Sequence, residues 1–343
     1  MRVCFIYDRL SGGLPRATLD ASVALANKGH DVLVCGPINA HPHFAEEAYK
    51  LGVSLENMSQ GWFLNFSRNI IKRVSEFNPQ VIFSSHRGCD VKASNLACKL
   101  GIKHIIIFNA NPFTQDEQNP SLYFLRMRNY FWSRAVRKSA KVVCISCYIA
   151  NAIKKRFNLD SGKIAMILHS ANLEKFLCTK IKDLPEKTKP IKLLAVGRLS
   201  EEKRPDLFVE LVRLLNATAE YRFLATWAGD GELQDDIEQL IEASGLSGQI
   251  TLAGDVKHVE DEYKDADIFV HFRTDEAAGV VFIEAQSAGV PVIAFNSGGI
   301  PDYVEDGKTG LLCEPLNIQE MKEKILRLVS NREMYCSMSV AGV

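Results

Sequence analysis

Short apolar runs alternate with helix-length amphipathic stretches along the whole of this 343-residue chain. Runs rich in β-branched and aromatic residues read as strands at 3–7, 31–35, 81–84, 104–108, 141–145 and 163–168. A second series reads at 191–196, 222–228, 250–253, 268–272, 290–294 and 310–312. Between them, stretches such as 16–27, 204–215 and 233–243 carry apolar residues at helical spacing. A strand, a crossover helix and a further strand build a parallel sheet. The pattern therefore predicts an α/β protein, and two doubly wound, Rossmann-like sheets fit it better than one. At about 150 residues per domain the length agrees with two. The stretch 178–190 is rich in Lys, holds Pro185 and Pro190 and has the composition of a linker. The expected division is a first domain at 1–183, a second at 184–330 and a tail at 331–343 that returns to the first domain.

Composition excludes other classes. With 47% hydrophobic and 24% charged residues, the chain is neither disordered, collagenous nor a coiled coil. No window approaches the roughly 18 apolar residues that spanning a bilayer requires. The start, Met1 to Tyr7, is too short and too β-branched for a secretory leader, so a cytoplasmic protein is expected. Nine scattered cysteines argue against a disulfide framework. The lone pair Cys144 and Cys147 lacks a second pair for zinc, so buried reduced thiols are expected there.

In open parallel sheets ligands bind beyond the carboxyl ends of the strands, so the loops there carry the chemistry. The first, Ser11-Gly12-Gly13, precedes a helix whose start is expected near Pro15 or Arg16. Its glycines and the free N–H groups of that helix suit a phosphate or a sugar hydroxyl. It matches neither the dinucleotide fingerprint nor the P-loop. The second loop runs from Gly197 to Lys203. Arg198 offers a fork and Lys203 a movable point charge, a combination suited to a pyrophosphate. The third segment places Glu276 in a loop and Glu284 inside the next helix, whose first turn holds Gly279, Val280 and Val281. Carboxylates accept hydrogen bonds from vicinal hydroxyls, and exposed N–H groups receive phosphate. Asp265-Ala266-Asp267 has the spelling of a metal motif, but its position at a helix end predicts capping.

In order and spacing these segments resemble the retaining glycosyltransferases of GT-B fold called family 4, or group 1. The resemblance begins at Gly12-Gly13 and the run Leu25 to Val32. It continues through Gly197-Arg198 with Lys203, Gly229-Asp230-Gly231 and the Glu276-x7-Glu284 spacing. It ends with Ala288 to Ile293 and Gly298-Gly299-Ile300-Pro301-Asp302. What the resemblance implies is two Rossmann-like domains facing a cleft, with a nucleotide-sugar donor held by the second domain and the acceptor by the first. It implies that Arg198 and Lys203 bind the diphosphate, Glu284 the ribose and Glu276 a hydroxyl of the donor sugar. The backbone at Gly13, Val256, Gly279, Val280 and Val281 completes the donor set, and Gly12 and Asn109 belong to the acceptor side. It implies retention by same-face attack, with fixed cations stabilising the leaving diphosphate and neither metal nor cofactor required. A UDP-sugar is expected ahead of a GDP-sugar. Several positions depart from the family pattern. Asn109 stands where a His is frequent, Arg273 where a small residue is usual, Ala277 where a Gly follows the first Glu, and His169 to Asn172 where Asn-Gly-x-Asp is usual.

The balance of 41 basic and 41 acidic residues, which argues against a nucleic-acid partner, hides a split. Residues 1–180 hold 24 basic and 12 acidic side chains, and the remainder hold 17 and 29. Between Glu117 and Asp160 there is no acid at all. On a helical wheel Arg126, Arg134, Arg137, Lys138 and Lys141 share an arc with Tyr130 beside it, while Trp132 and Val136 lie opposite. Bases mixed with aromatics describe a helix lying on an anionic bilayer. A second basic and aromatic patch runs from Trp62 to Arg73. The resulting expectation is an enzyme attached to the inner face of the cell membrane, transferring a hexose to a lipid-linked or lipopolysaccharide-type acceptor. A soluble acceptor, a sugar-nucleotide epimerase of the same fold and a non-catalytic sugar-nucleotide binder remain open alternatives.

Overall fold

Both halves of the chain wind as parallel sheets in the computed structural model, which describes residues 1–7, 13–38, 46, 48–58, 68–108, 123–168, 173–178, 182–218 and 220–343. The first sheet is built from β1 (Arg2–Tyr7), β2 (Asp31–Gly36), β3 (Ser54–Asn57), β4 (Val81–Ser85), β5 (Lys103–Phe108), β6 (Lys141–Cys144) and β7 (Ile164–Met166). Its order is β3-β2-β1-β4-β5-β6-β7. The second comprises β8 (Ile191–Val196), β9 (Phe223–Ala228), β10 (Ile250–Gly254), β11 (Ile268–His271), β12 (Val292–Phe295) and β13 (Gly310–Cys313), in the order β10-β9-β8-β11-β12-β13. All paired strands in both sheets run parallel. All twelve expected strands are present. The thirteenth, β3, was not legible, because Ser54-Leu55-Glu56-Asn57 is a half-buried edge with no apolar run.

Each sheet is covered on both faces, which is why its central strands are near-continuous apolar runs. In the first, Ile6, Leu33 and Ile82 pack with Ile70, Val74, Ala93 and Leu96 of helices Arg68–Phe77 and Arg87–Leu100. In the second, one face of β8 and β9 packs with Phe208, Val212, Ile237 and Ile325, while Leu194 and Phe269 face Tyr263, Phe282 and Ala285.

The division falls between His169 and Ser170, ahead of the expected boundary at 183/184. The reason is local bonding. Phe176 is buried in the second core, and the Cys178 N–H donates to the Ser287 carbonyl. The Lys182 ammonium donates to the carbonyls of Tyr263 and Lys264, and Asp183 pairs with Arg332. A linker-like composition here is a strap bonded to its own domain. The tail, expected to return to the first domain, forms helix Arg332–Gly342 packed on helices Val280–Ser287 and Ile318–Ser330. The Tyr335 hydroxyl anchors it on the Asp267 carbonyl at 2.9 Å. Asp267 itself does not cap a helix, since its carboxylate takes the Lys192 N–H that opens β8. Of the cysteine pair, Cys144 is buried and Cys147 exposed at the start of helix Cys147–Phe157.

A polar network ties the first sheet to its helices. Ser84 at the end of β4 donates to Asp90 Oδ1 at 2.6 Å, and Trp132 Nε1 donates to Asp90 Oδ2 at 2.9 Å. With its proton committed to Asp90, the Ser84 oxygen takes His104 Nε2–H at 2.8 Å. His104 is buried, and desolvation lowers its pKa to about 4. The unfolded chain therefore protonates first on acidification. The associated stability is complete above pH 6.5 and is lost as the pH falls towards 4, by about 3 kcal/mol. Urea titrations across that range should show this slope, and His104→Gln, which keeps a donor but cannot titrate, should flatten it.

Candidate functional site

Sheet order alone singles out one crevice in the second unit. The chain leaves β8 towards β9 and leaves β11 in the opposite direction towards β12, so their loops diverge at the carboxyl edge. That reversal is where open α/β sheets bind ligands. The two loops at this point are 197–203 and 272–279, which hold Arg198, Lys203 and Glu276.

Backbone contacts hold both loops. The Gly197 carbonyl takes Trp227 Nε1–H at 2.8 Å, and the Leu199 N–H donates to the Asp230 carbonyl at 2.8 Å. Gly229, at φ +133°, lies so close under the Gly197 carbonyl that a Cβ there would collide with it. The Gly229-Asp230-Gly231 segment therefore sets the position of the Arg198 loop. The other loop is clamped through Glu276, whose carbonyl accepts the Gly299 N–H at 2.7 Å. A Cβ on Gly298 would stand 2.5 Å from that same oxygen.

Across the crevice the Lys203 ammonium donates to Glu276 Oε2 at 2.7 Å, with side chains only 18% and 12% exposed. The same oxygen lies 3.4 Å from His271 Nε2 at the end of β11. Burial by itself would raise the Glu276 pKa, but His271 and the cations of Lys203 and Arg273 outweigh it and hold the carboxyl well below its ordinary range. Burial also lowers the His271 pKa, against the pull of Glu276. Arg273 is largely buried and donates through Nε to Asp275 Oδ1 at 2.7 Å. Arg198 is the exposed member, 3.7 Å from Glu202.

Helix Val280–Ser287 opens directly after this loop with Gly279 as its N-cap and no side chain capping it. Glu284 projects from that helix and accepts the Tyr263 hydroxyl at 3.0 Å through Oε2. Oε1 has no hydrogen-bond donor among the described residues. Burial and the like charge of Glu260 raise the Glu284 pKa, which the Tyr263 bond opposes. Val256 is half-buried against the same apolar cluster as Val281.

In the first unit the corresponding reversal lies between β1 and β4. Gly13 begins helix Gly13–Asn27, earlier than the expected start. Gly12 and Asn109 lie outside the described residues, as do Trp62 to Ser67. Helix Tyr123–Lys138 buries Trp132 and Val136 as expected and exposes Met127, Tyr130, Phe131, Arg134 and Lys138. Arg126 lies on this helix. Lys141 does not belong to its arc, because the helix ends at Lys138 and Lys141 opens β6, donating to the Gly162 carbonyl. Arg137 is turned to the Phe157 carbonyl, 3.3 Å from Nε. No helix among the described residues is long and apolar enough to cross a membrane.

Two family models match, Glycosyl transferases group 1 over residues 179–342 and Glycosyltransferase Family 4 over residues 11–175. The chain belongs to the group 1 glycosyltransferases. Its two parallel sheets have the GT-B fold, as in Anabaena HepE solved with UDP (TM-score 0.81, 16% identity, covering 100% of this chain and 93% of that one). The apo form of the lipopolysaccharide outer core galactosyltransferase WaaB is similar too (TM-score 0.75, 16% identity, 99% and 95% covered). A sulfoquinovosyl transferase of Arabidopsis thaliana is 34% identical over 151 residues, 43% of this chain and 28% of that protein. An alpha-D-kanosaminyltransferase of Streptomyces kanamyceticus is 25% identical over 249 residues, 68% of this chain and 63% of that protein. The chain thus spans less than two thirds of the length of both curated relatives.

Within this GT-B frame the structure adds residues that the sequence analysis passed over. His271, the last residue of β11, is buried beside Glu276. His86 follows β4 at the reversal in the first unit with φ +93°, a left-handed conformation costly for a branched ring side chain. The legible signal for His86 was its place between a strand end and the Arg87–Leu100 helix.

The Lys203–Glu276 pair is desolvated, so removing one partner strands the other. Lys203→Met should lower stability by about 3 kcal/mol, and adding Glu276→Gln should recover part of that loss. Chemical denaturation of the two single variants and the double variant measures it; an additive result counts against the pairing.

Proposed function

We propose that the protein is a retaining, metal-independent glycosyltransferase that moves a hexose-type sugar from a nucleotide diphosphate to a lipid-linked or lipopolysaccharide-type acceptor at a membrane surface. The observation that carries the donor half is the Lys203–Glu276 contact across the crevice at the sheet's reversal point. A diphosphate entering there competes for Lys203, and the carboxylate released is then free to accept a donor-sugar hydroxyl. As the glycosidic carbon becomes oxocarbenium-like, negative charge grows on the departing diphosphate. Lys203, Arg198 and the open N–H groups at Gly279, Val280 and Val281 are positioned to stabilise it. The uncommitted Oε1 of Glu284 suits a ribose hydroxyl. Val256 serves the base, and a UDP-sugar is favoured because HepE of the same fold was solved with UDP.

The acceptor half rests on the first unit. Residues 1–169 hold 22 basic against 11 acidic side chains. Helix Tyr123–Lys138 presents Tyr130 62% exposed beside Phe131 47% exposed, with Arg134 and Lys138 on the same open surface. Aromatic rings seated among cations suit an anionic headgroup layer, worth about 1 kcal/mol per cation. The lipopolysaccharide function of WaaB is consistent with such an acceptor.

A thermal-shift panel of UDP-, GDP- and ADP-sugars should show a rise in Tm with one nucleotide, and Glu284→Ala should shrink that rise. An undiminished shift in Glu284→Ala removes the ribose assignment. Flotation should carry the protein upward with anionic vesicles and not with neutral ones. Arg134→Glu with Lys138→Glu should stay at the bottom, and a wild type that fails to float sinks the membrane half.

A further inference from the structure

Arg273 occupies the donor crevice with most of its hydrogen-bonding capacity unspent. It lies two residues after β11 and three before Glu276, on the loop clamped by Gly299. Its side chain is 21% exposed, yet only Nε is committed, to Asp275. Neither terminal nitrogen has a hydrogen-bond partner among the described residues. Neither nitrogen is sealed from solvent, so both stay available to a ligand that enters the crevice. Its electrostatic neighbours are Asp275 and Glu276 on its own loop and Glu202 on the opposite one, the two loops that border the crevice. It is not required as the counter-ion of Glu276, since Lys203 already fills that role at 2.7 Å. Asp275 and Glu202 are 49% and 41% exposed, so solvent screens both.

We propose that Arg273 determines sugar specificity by receiving the carboxylate of a uronic-acid-type donor on its free edge, beside the Glu276 subsite. The inference rests on the nucleotide-sugar reading above and narrows it from a hexose to an anionic one. A planar carboxylate matches two parallel N–H donors, a geometry that a neutral hydroxymethyl group cannot supply. An acidic group on the acceptor has the same chemistry, so the test is made without acceptor.

Calorimetry should compare matched pairs on whichever nucleotide binds, UDP-glucose with UDP-glucuronate or GDP-mannose with GDP-mannuronate, alongside the bare diphosphate. The uronate should bind at least about tenfold tighter than the hexose. Arg273→Ser should erase that preference while leaving affinity for the bare diphosphate unchanged, and Arg273→Lys should keep only part of it. Arg273→Gln, longer and neutral, serves where the serine variant loses its native Tm. Equal binding of the two sugars, or a preference that survives in Arg273→Ser, overturns the proposal. Binding of no nucleotide diphosphate at all overturns the nucleotide-sugar reading itself.

Discussion

The arrangement of the second unit depends on one buried ion pair. Lys203 and Glu276 come from loops whose strands, β8 and β11, are adjacent in the sheet but send the chain in opposite directions. Desolvated charges are tolerated only when paired, so the contact requires both loops to hold fixed positions. Gly229 pressed against Gly197, and Gly298 and Gly299 pressed against Glu276, provide that rigidity from the backbone. The result is a charged pair without surrounding slack, in which an entering polyanion can exchange with the carboxylate for the lysine. A loose surface pair would offer less, because water already competes for both partners.

The first unit meets the opposite requirement. Its reversal point is backed by a network in which Ser84 and Trp132 donate to Asp90 and His104 bonds Ser84. With that network anchoring Trp132, helix Tyr123–Lys138 is free to turn its aromatic and basic residues outward. A net surplus of eleven positive charges in one unit and of eleven negative charges in the other leaves the whole chain neutral.

Most of the strands were legible because parallel strands covered on both faces must be nearly continuous apolar runs. The edge strand β3 escaped notice because an edge need not be apolar. Lys141 was assigned to a helix by counting 100° steps past the point where Ala140 donates its N–H to His104 and β6 begins. The boundary was set by composition, yet Lys182 and Asp183 make bonds within the second unit that no local pattern encodes. His271 was invisible for a related reason: in an apolar strand a histidine reads as core until a carboxylate is seen at its far end.

What the sequence determined by itself was the alternation of strands and helices, the loops carrying charge, and the spacing from Glu276 to Glu284. These are local properties, set by periodicity and by residues close together in the chain. Only the tertiary structure decided that Lys203 meets Glu276, that Tyr263 holds Glu284, that Arg273 commits only Nε and that the tail helix packs on helices Val280–Ser287 and Ile318–Ser330. Each joins residues far apart in the chain or depends on how crowded a side chain is. The free energy of a charge is set by what surrounds it in space, which neighbours along the chain do not specify.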